Sequence, residues 1–219
     1  MDNEKDKIKI TYLGHSFFKV ESDNKIVTFD PVDEGTGYKF DEKIDTNLSC
    51  VSHMHHDHSN TEILNIIPID GFNESNVRVV PSFHDDKVGM LRGTNDINIV
   101  TIGNFKVCHL GDLGHDLTED MIKEIGEVDI LFMPIGGVYT IDGMQAVKIL
   151  DQIKTKIVIP MHYKTDKLTF ELDPEEKFTI IARRRHQVIN LYMPDINFTR
   201  TELDNIKYEE KITYVLKAK

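Results

Sequence analysis

Four histidines and an aspartate fall within six consecutive positions of the segment VSHMHHDHSN. Neutral imidazole is the commonest protein ligand for metal ions, and carboxylate is its usual oxygen partner. His53 and His55 are two residues apart after a short apolar run, so at the end of an extended strand both rings project to one side, as chelation of one ion requires. Asp57 and His58 follow as the chain turns and are placed to face a second ion. The pattern His-x-His-x-Asp-His therefore predicts metal binding.

A framework of strands must position this cluster. Alternating apolar residues and turn residues predict a β-meander at the N-terminus and a later hairpin, while the second half alternates strands with helices. The predicted strands are 8–13, 17–21, 25–29, 47–52, 77–81, 97–102, 105–110, 128–133, 156–161 and 211–216, and the predicted helices are 117–125 and 143–153. A further helix is predicted to begin at Ser59, which places the cluster on a loop between a strand and a helix. One domain over residues 1–219 is expected, and its tail after about residue 195 is the least defined part.

His53, His55, Asp57 and His58 match the signature of the metallo-β-lactamase superfamily, which the chain resembles from about residue 8 to residue 195. The segments YLGHSFFKV, FDP, FHDD, HLGDLG, MPIGGVYTIDGMQA and IPMHYKT are similar to one branch of it. That branch includes ascorbate-6-phosphate lactonases and N-acylphosphatidylethanolamine phospholipases. The resemblance implies an α/β (α+β) fold, a four-layer αββα sandwich with a dinuclear metal site at one edge.

The resemblance also implies three more ligands, each placed just after a later strand. His84 in PSFHDD, Asp112 in CHLGDLG and His162 in IPMHYKT occupy such positions. A buried structural histidine is the alternative interpretation of His84. The implied ligand set is His53, His55 and His84 for one ion, Asp57, His58 and His162 for the other, and Asp112 as the bridge.

The implied chemistry is hydrolysis by a hydroxide shared between two ions, which lie roughly 3.5–4 Å apart and lower the pKa of water to about 7. Asp57 is the predicted catalytic residue, because it is placed to orient the nucleophile or relay its proton. Nitrogen and oxygen ligands without thiolate fit zinc, and also manganese or iron. The predicted protein is a hydrolase with two divalent ions, zinc by default, that cleaves a small ester, lactone, amide or phosphodiester.

Three residues are candidates for supporting the ligands. His15, in the segment GHS, is expected either beside the metal site or as a packing histidine. Asp30 is expected to accept the ring N–H of a ligand, since metal-bound histidines usually need such a partner; its alternative role is a turn residue before a proline. Asp85 follows His84 directly and is expected to orient neighbouring ligands.

Three others are candidates for contacting a substrate. Arg92 and Lys164 are each a candidate to bind a phosphate or carboxylate; for Arg92 a surface salt bridge is the competing interpretation. His115 lies three residues beyond Asp112, where it either contacts the substrate or is simply exposed.

Composition narrows the choice of partners and location. The chain has 26 basic and 37 acidic residues and a formal charge of -11, which disfavours nucleic acid and anionic membranes. A small-molecule substrate is therefore the expected partner, and homo-oligomerisation stays open. Cys50 and Cys108 are too few for a disulfide framework, and no segment has the character of a signal peptide or a membrane helix. A cytoplasmic location is predicted.

Three other functions stay open on sequence grounds. A diiron oxidoreductase or dioxygenase would use the same ligands. A nuclease would use the same fold, although the acidic surface and the lack of a basic arm argue against it. A non-catalytic ligand sensor would retain the metal site without turnover.

Overall fold

The computed structural model of the chain describes residues 4–219, which contain fourteen strands and four α-helices. The strands are β1 (Lys7–Gly14), β2 (Phe17–Ser22), β3 (Lys25–Phe29), β4 (Ile44–Thr46), β5 (Leu48–Cys50), β6 (Leu64–Ile66), β7 (Val77–Phe83), β8 (Thr94–Ile102), β9 (Phe105–His109), β10 (Val128–Pro134), β11 (Thr155–Met161), β12 (Gln187–Asn190), β13 (Asp195–Thr199) and β14 (Ile212–Val215). The helices are α1 (Glu119–Ile125), α2 (Gly143–Leu150), α3 (Glu176–Ala182) and α4 (Arg200–Asp204). The first three residues of the predicted domain lie outside the described part.

The strands form two principal sheets. One has five strands in the order β13-β1-β2-β3-β5, and the other has seven in the order β12-β14-β11-β10-β9-β8-β7; β4 and β6 form a small separate pair. Helices α1, α2 and α3 each connect two parallel strands of the seven-stranded sheet, and successive connections move across that sheet in the same direction. Right-handed crossovers therefore place all three helices on one face of it. The other face packs against the five-stranded sheet. The α/β sandwich of two facing sheets that the sequence predicts is confirmed.

The core lies between the two sheets. All seven residues of β10 and of β11 are buried, as expected for strands covered on both faces, whereas β1 begins with alternating exposed and buried residues. Phe18 of the smaller sheet stacks on Phe132 of the larger one, with ring centroids 4.1 Å apart. Cys50 and Cys108 are buried and form no disulfide. This packing between the sheets fixes the relative position of the strand ends.

The predicted helix beginning at Ser59 is wrong. The chain makes only a short 3-10 turn at Thr61–Ile63 and then enters β6, which pairs in parallel with β4. The hydroxyl of Ser59 donates to the carbonyl of His55 at 2.8 Å and does not cap a helix. The cluster therefore lies on a loop that follows a strand and leads into a turn. The predicted hairpin between β8 and β9 is present.

Strand direction brings the candidate residues to one edge of the sandwich. In the larger sheet β9, β10 and β11 are parallel, and β7 runs the same way because both β7 and β9 are antiparallel to β8. In the smaller sheet β1, β3 and β5 share one direction by the same reasoning. The residues of interest follow the C-terminal ends of these strands: His15 after β1, Asp30 after β3, His53 after β5, His84 after β7, Asp112 after β9 and His162 after β11.

Among residues 4–219, none of the helices combines the length and the apolar character required to cross a bilayer.

Candidate metal centre

Three groups of donor atoms converge at this edge of the sandwich. The groups are His53, His55 and His84; His15, Asp57, His58 and His162; and His53, His58 and Asp112. Within each group one donor atom from every residue lies within 4.8 Å of the others. The third group shares a member with each of the first two, so the seven predicted ligands and His15 form one continuous cluster.

Asp112 lies between the two larger groups. Its Oδ2 atom is 3.0 Å from Nε2 of His84 in the first group. It is also 3.2 Å from Nε2 of His58 and 3.1 Å from Nε2 of His162 in the second group. One buried carboxylate oxygen therefore faces imidazoles of both groups.

The spacing and environment of these atoms fit metal ions. Donor atoms around a tetrahedral ion, at about 2.0–2.1 Å from it, stand roughly 3.3 Å apart, which is close to the separations around Asp112. Within residues 4–219, Oδ1 of Asp112 is buried without a hydrogen-bond partner, and Nε2 of His58 makes no well-aligned hydrogen bond although it lies 3.2 Å from Oδ2 of Asp112. Such atoms are costly to bury unless something satisfies them. A divalent cation coordinated by these donors would do so.

Both acidic members of the cluster stay ionised at neutral pH. Burial raises the pKa of Asp57 and of Asp112, but the adjacent imidazoles have the larger combined effect and hold both pKa values below the usual range. Burial, aided by neighbouring imidazoles, lowers the pKa of His53 to about 3 and that of His15 to about 4. Ionised carboxylates and neutral imidazoles are the states in which these side chains bind cations.

His58 differs from the other imidazoles. Burial lowers its pKa, but the carboxylates of Asp112 and Asp30 more than offset this effect and raise the pKa well above its ordinary value. A cation bound at Nε2 must therefore displace a proton, because ligand imidazoles bind metals in their neutral form.

Asp30 and Ser52 fix which ring nitrogens face the cluster. Ser52 donates its hydroxyl hydrogen to Asp30 at 2.6 Å, so its oxygen accepts from Nδ1 of His53 at 2.9 Å. Nδ1 of His58 donates to the same carboxylate at 2.8 Å. In their neutral forms both histidines thus present an unprotonated Nε2 to the cluster. Asp30 lies where the sequence places it, whereas Ser52 was missed, although it directly precedes the first histidine.

The position of Asp112 is set by residues that the sequence does not single out. The side-chain oxygen of Asn95 accepts from the backbone N–H of Asp112 at 2.8 Å. The amide nitrogen of Asn95 donates to the Ser82 hydroxyl at 2.7 Å and to the Leu110 carbonyl at 2.9 Å. A lone asparagine in a strand gives no sequence signal for such a role.

Gly114 lets two ligand loops approach each other closely. A Cβ atom at Gly114 would lie 2.4 Å from the backbone nitrogen of Asp85 and 2.4 Å from the carbonyl carbon of His84. Any larger residue would force the backbone of the His84 loop away from the loop that carries Asp112.

His15 lies in the cluster and is not a packing histidine with satisfied partners. Its Nε2 atom is 3.3 Å from Oδ2 of Asp57, and its ring centroid is 4.3 Å from that of His162. Both ring nitrogens are buried and have no hydrogen-bond partner in the described part of the chain. The backbones of His15 and His162 adopt φ values of 55° and 51°, a conformation rare for such residues and typically held only where the surrounding structure enforces it.

The structure gives Asp85 a different partner from the predicted one. Its carboxylate accepts hydrogen bonds from backbone N–H groups of the loop that follows it, including those of Lys87 at 2.8 Å and Arg92 at 2.7 Å. Among residues 4–219 it makes no hydrogen bond to the side chain of a predicted ligand. The prediction that it orients ligands directly is therefore corrected: it orders the loop. The guanidinium of Arg92 lies over the ring of Tyr139, 5.6 Å from its centroid.

Lys164 and His115 also hold loops in place. The ammonium group of Lys164 donates to the carbonyls of Leu168 and Phe170 and pairs with Glu171, so it is not a free cation for a substrate. The ring of His115 accepts from the backbone N–H of Phe83 and bonds the Asp116 carbonyl, which uses both nitrogens. Both side chains thus have partners within the protein, and their contact with a substrate stays a prediction.

Comparison with known proteins agrees with this architecture. The model of the β-lactamase superfamily domain matches residues 9–162. A UPF0173 metal-dependent hydrolase of Nanoarchaeum equitans is 31% identical, and the match covers 78% of this chain and 93% of that protein. A Thermotoga maritima crystal structure, assigned as a Zn-dependent hydrolase of the metallo-β-lactamase superfamily, has 30% identity and a TM-score of 0.69, over 95% of this chain and 98% of that one. Igni18, a metallo hydrolase from Ignicoccus hospitalis, shares the fold with a TM-score of 0.62 at 20% identity and coverage of 88% of this chain and 98% of that one.

A two-sheet sandwich with a histidine and aspartate cluster at the ends of its strands defines the class of metallo-β-lactamase-fold hydrolases. Within that class, the chain belongs to the UPF0173 family of metal-dependent hydrolases.

Proposed function

We propose that the protein is a dinuclear hydrolase that cleaves a small ester, lactone, amide or phosphodiester bond. The observation that supports this most strongly is the contact of one carboxylate, Asp112, with histidines of two separate donor groups. We assign His53, His55 and His84 to one ion, Asp57, His58 and His162 to the other, and Asp112 to both. A pair of zinc ions is the proposed cofactor, in keeping with the assignment of the Thermotoga maritima relative.

The bound ions would activate water and polarise the scissile bond, as Lewis acids do in two-metal sites. The side chains of the protein supply the remaining requirements. Asp57 is buried on one side and 14% exposed, so its carboxylate borders both the cluster and the solvent. It stays ionised, which allows it to accept a hydrogen bond from the attacking water and orient it. Asp30 and Ser52 hold His53 and His58 in the tautomers that coordination requires.

The proposed branch is the one suggested by the segments HLGDLG and IPMHYKT, that of the lactonase-like and phospholipase-like hydrolases. Among the strongly buried acids at the edge, Asp112 is assigned to metal ligation and Asp30 to support of ligands, whereas Asp85 orders its own loop. No serine or cysteine nucleophile is required by this mechanism, and the two cysteines lie in the core. The small-molecule substrate and the cytoplasmic location remain predictions.

The test combines metal content with turnover. Protein purified without added metal is expected to contain two equivalents of metal per chain and to hydrolyse at least one of a lactone, a carboxylic ester and a phosphodiester. Asp57→Ala should abolish turnover while circular dichroism shows the fold intact. The matched control is His186→Gln, which changes a half-buried histidine bonded to Thr213 outside the cluster and should leave both readouts unchanged. A fully metal-loaded protein without any turnover would contradict the proposal.

A diiron oxidoreductase is distinguished by the same sample. A diiron centre absorbs visible light, whereas zinc does not, so a colourless active protein with two zinc ions would exclude it. The CmlA β-hydroxylase shares the fold at 13% identity and a TM-score of 0.57, which bears on architecture alone.

A further inference from the structure

The loop of residues 84–93 carries an arginine to the rim of the cluster. It begins with His84, whose backbone N–H donates to the carbonyl of Gly93 at 3.1 Å, so the two ends of the loop are joined. The carboxylate of Asp85 accepts four backbone N–H groups from within the loop, those of Lys87, Gly89, Leu91 and Arg92. Arg92 directly precedes Gly93, the residue that bonds the backbone of the predicted ligand His84, and its position relative to that ligand is therefore fixed.

The guanidinium of Arg92 has no protein anion to neutralise it. Among residues 4–219 this group makes no ion pair or hydrogen bond. It lies over the ring of Tyr139, with its central carbon 5.6 Å from the ring centroid. By contrast, four of the other five arginines, Arg78, Arg183, Arg185 and Arg200, each donate to a protein oxygen, and only Arg184, far from the cluster, shares the lack of a side-chain partner among residues 4–219. In a chain with eleven more acidic than basic residues, an unpaired arginine beside the candidate active site requires an explanation.

An aromatic path links this arginine to the cluster. The ring of Phe170 lies edge-on to that of His15, with centroids 5.2 Å apart, and Tyr139 lies edge-on to Phe170 at 6.4 Å. Lys164 fixes this path by donating to the carbonyl of Phe170 at 3.1 Å. The order from the cluster outward is His15, Phe170, Tyr139 and Arg92.

Exposed apolar side chains surround the same region. They occur on the loops that follow β5, β7 and β10 at this edge of the sandwich: Met54, Val88, Met90, Leu91, Val138 and Tyr139. Large apolar side chains collected on neighbouring loops commonly mark a binding site, whereas single ones do not. The rim thus combines apolar surface with one unpaired cation.

We propose that the substrate is an amphipathic organic anion whose apolar or aromatic body lies on Phe170 and Tyr139 and whose terminal carboxylate or phosphate pairs with Arg92. This rests on the hydrolase function proposed above. The scissile bond then lies at the cluster: the oxygen of water adds to the carbonyl or phosphoryl centre, the bond to the leaving group breaks, and the leaving group takes up the proton.

Two matched esters test this substrate class. The 4-nitrophenyl ester of hexanoic acid is neutral, and the mono-4-nitrophenyl ester of adipic acid has the same chain length with a terminal carboxylate. Wild-type enzyme should favour the adipate ester in kcat/KM by about 10-fold or more, as expected for a charge-assisted contact. A third ester that ends in a phosphonate tells whether a phosphate-like group is preferred to a carboxylate.

Variants of Arg92 identify the origin of the preference. Arg92→Gln should raise KM for the adipate ester about 10-fold, leave kcat nearly unchanged and leave the hexanoate ester unaffected; Arg92→Lys should restore part of the preference. The matched control is Arg184→Gln, since Arg184 also makes no ion pair among residues 4–219 but lies before β12, at the opposite end of the sheet. An unchanged KM for the adipate ester in Arg92→Gln would overturn the proposal.

A binding measurement separates this proposal from the proposed function. Calorimetry with the metal-loaded protein should show that 4-phenylbutyrate binds more tightly than 4-phenylbutanol in wild type, and that Arg92→Gln removes the difference. This result would support the anion subsite even if none of the esters is hydrolysed. Failure to hydrolyse any ester would count against the hydrolase mechanism and not against the subsite. Equal affinities of the two compounds in wild type would overturn the subsite.

Discussion

The two ends of the central strands carry charged clusters of opposite character. At the start of β10 and β11, Asp129 pairs with Arg200 at 2.7 Å, and Lys156 pairs with Asp204 at 3.3 Å. Every charge there has a protein counter-charge. Beyond the opposite ends of the same strands, the acceptor atoms of Asp112 and of the histidines face one another. Several buried atoms there have no hydrogen-bond partner among residues 4–219.

The two clusters differ in whether a bound ion is needed to balance their charges and donor atoms. In the first cluster the charges are paired within the protein, although Nε of Arg200 has no hydrogen-bond partner among residues 4–219, so this cluster contributes to stability without a ligand. The second has an excess of electron-pair donors around ionised carboxylates, an arrangement that a cation completes. Breaking each cluster should therefore have different consequences.

Asp112→Asn should have the largest effect, because it removes the charge that faces both donor groups. We expect loss of at least one metal equivalent and a fall in kcat/KM of at least about 1,000-fold, equivalent to several kcal/mol of lost transition-state stabilisation. Elemental analysis and turnover of the best probe ester measure these effects. Retention of two ions and full activity would show that Asp112 is not shared between them.

Removal of metal should come next. Because ions that bind only the folded state stabilise it, chelation should lower the free energy of unfolding by at least about 4 kcal/mol if metal is present at 1,000 times its dissociation constant. Urea unfolding with and without chelator tests this, and re-addition of zinc should restore the original midpoint. A midpoint that does not respond to chelation would mean that the cluster is satisfied without ions.

Asp30→Asn should weaken metal binding by about 10- to 100-fold, since the carboxylate bonds Ser52 and His58 and so fixes the ligand tautomers. Competition with a chromophoric chelator measures the affinity. Unaltered affinity in this variant would assign Asp30 to folding alone.

Gly114→Ala should destabilise the protein by about 1–3 kcal/mol and lower its metal content, because the added methyl group meets the backbone of His84 and Asp85. Gly71→Ala is the control: it carries backbone strain at a φ of 73° but meets no atom within 4 Å. If both variants lose metal equally, the close approach at Gly114 is not what positions the ligand.

Asp129→Asn should have the smallest effect on function. It breaks the completed cluster, so we expect a loss of about 1–3 kcal/mol in unfolding free energy with metal content and kcat unchanged. A marked fall in activity would show that the two ends of the strands are coupled.

The sequence predicted ten of the fourteen strands, because apolar runs are local signals, and the residues predicted as ligands converge in one cluster. That these residues bind ions stays a prediction. Prediction from the sequence failed where long-range contacts decide the outcome. The segment after Ser59 has helix-like residues, yet β6 pairs with β4, which lies about twenty positions earlier in the chain. Likewise, a carboxylate next to a ligand, as at Asp85, has the same sequence signature whether it bonds that ligand or its own loop.

Anomalous X-ray scattering from crystals of the protein, recorded at the absorption edge of the metal found in it, would locate the ions and so test whether the cluster binds two of them. Two peaks are expected at the strand ends, each about 2.0–2.2 Å from its ligand atoms, one among His53, His55 and His84 and one among Asp57, His58 and His162, with Asp112 between them. Peaks elsewhere, or no peak in protein that is active, would contradict this expectation.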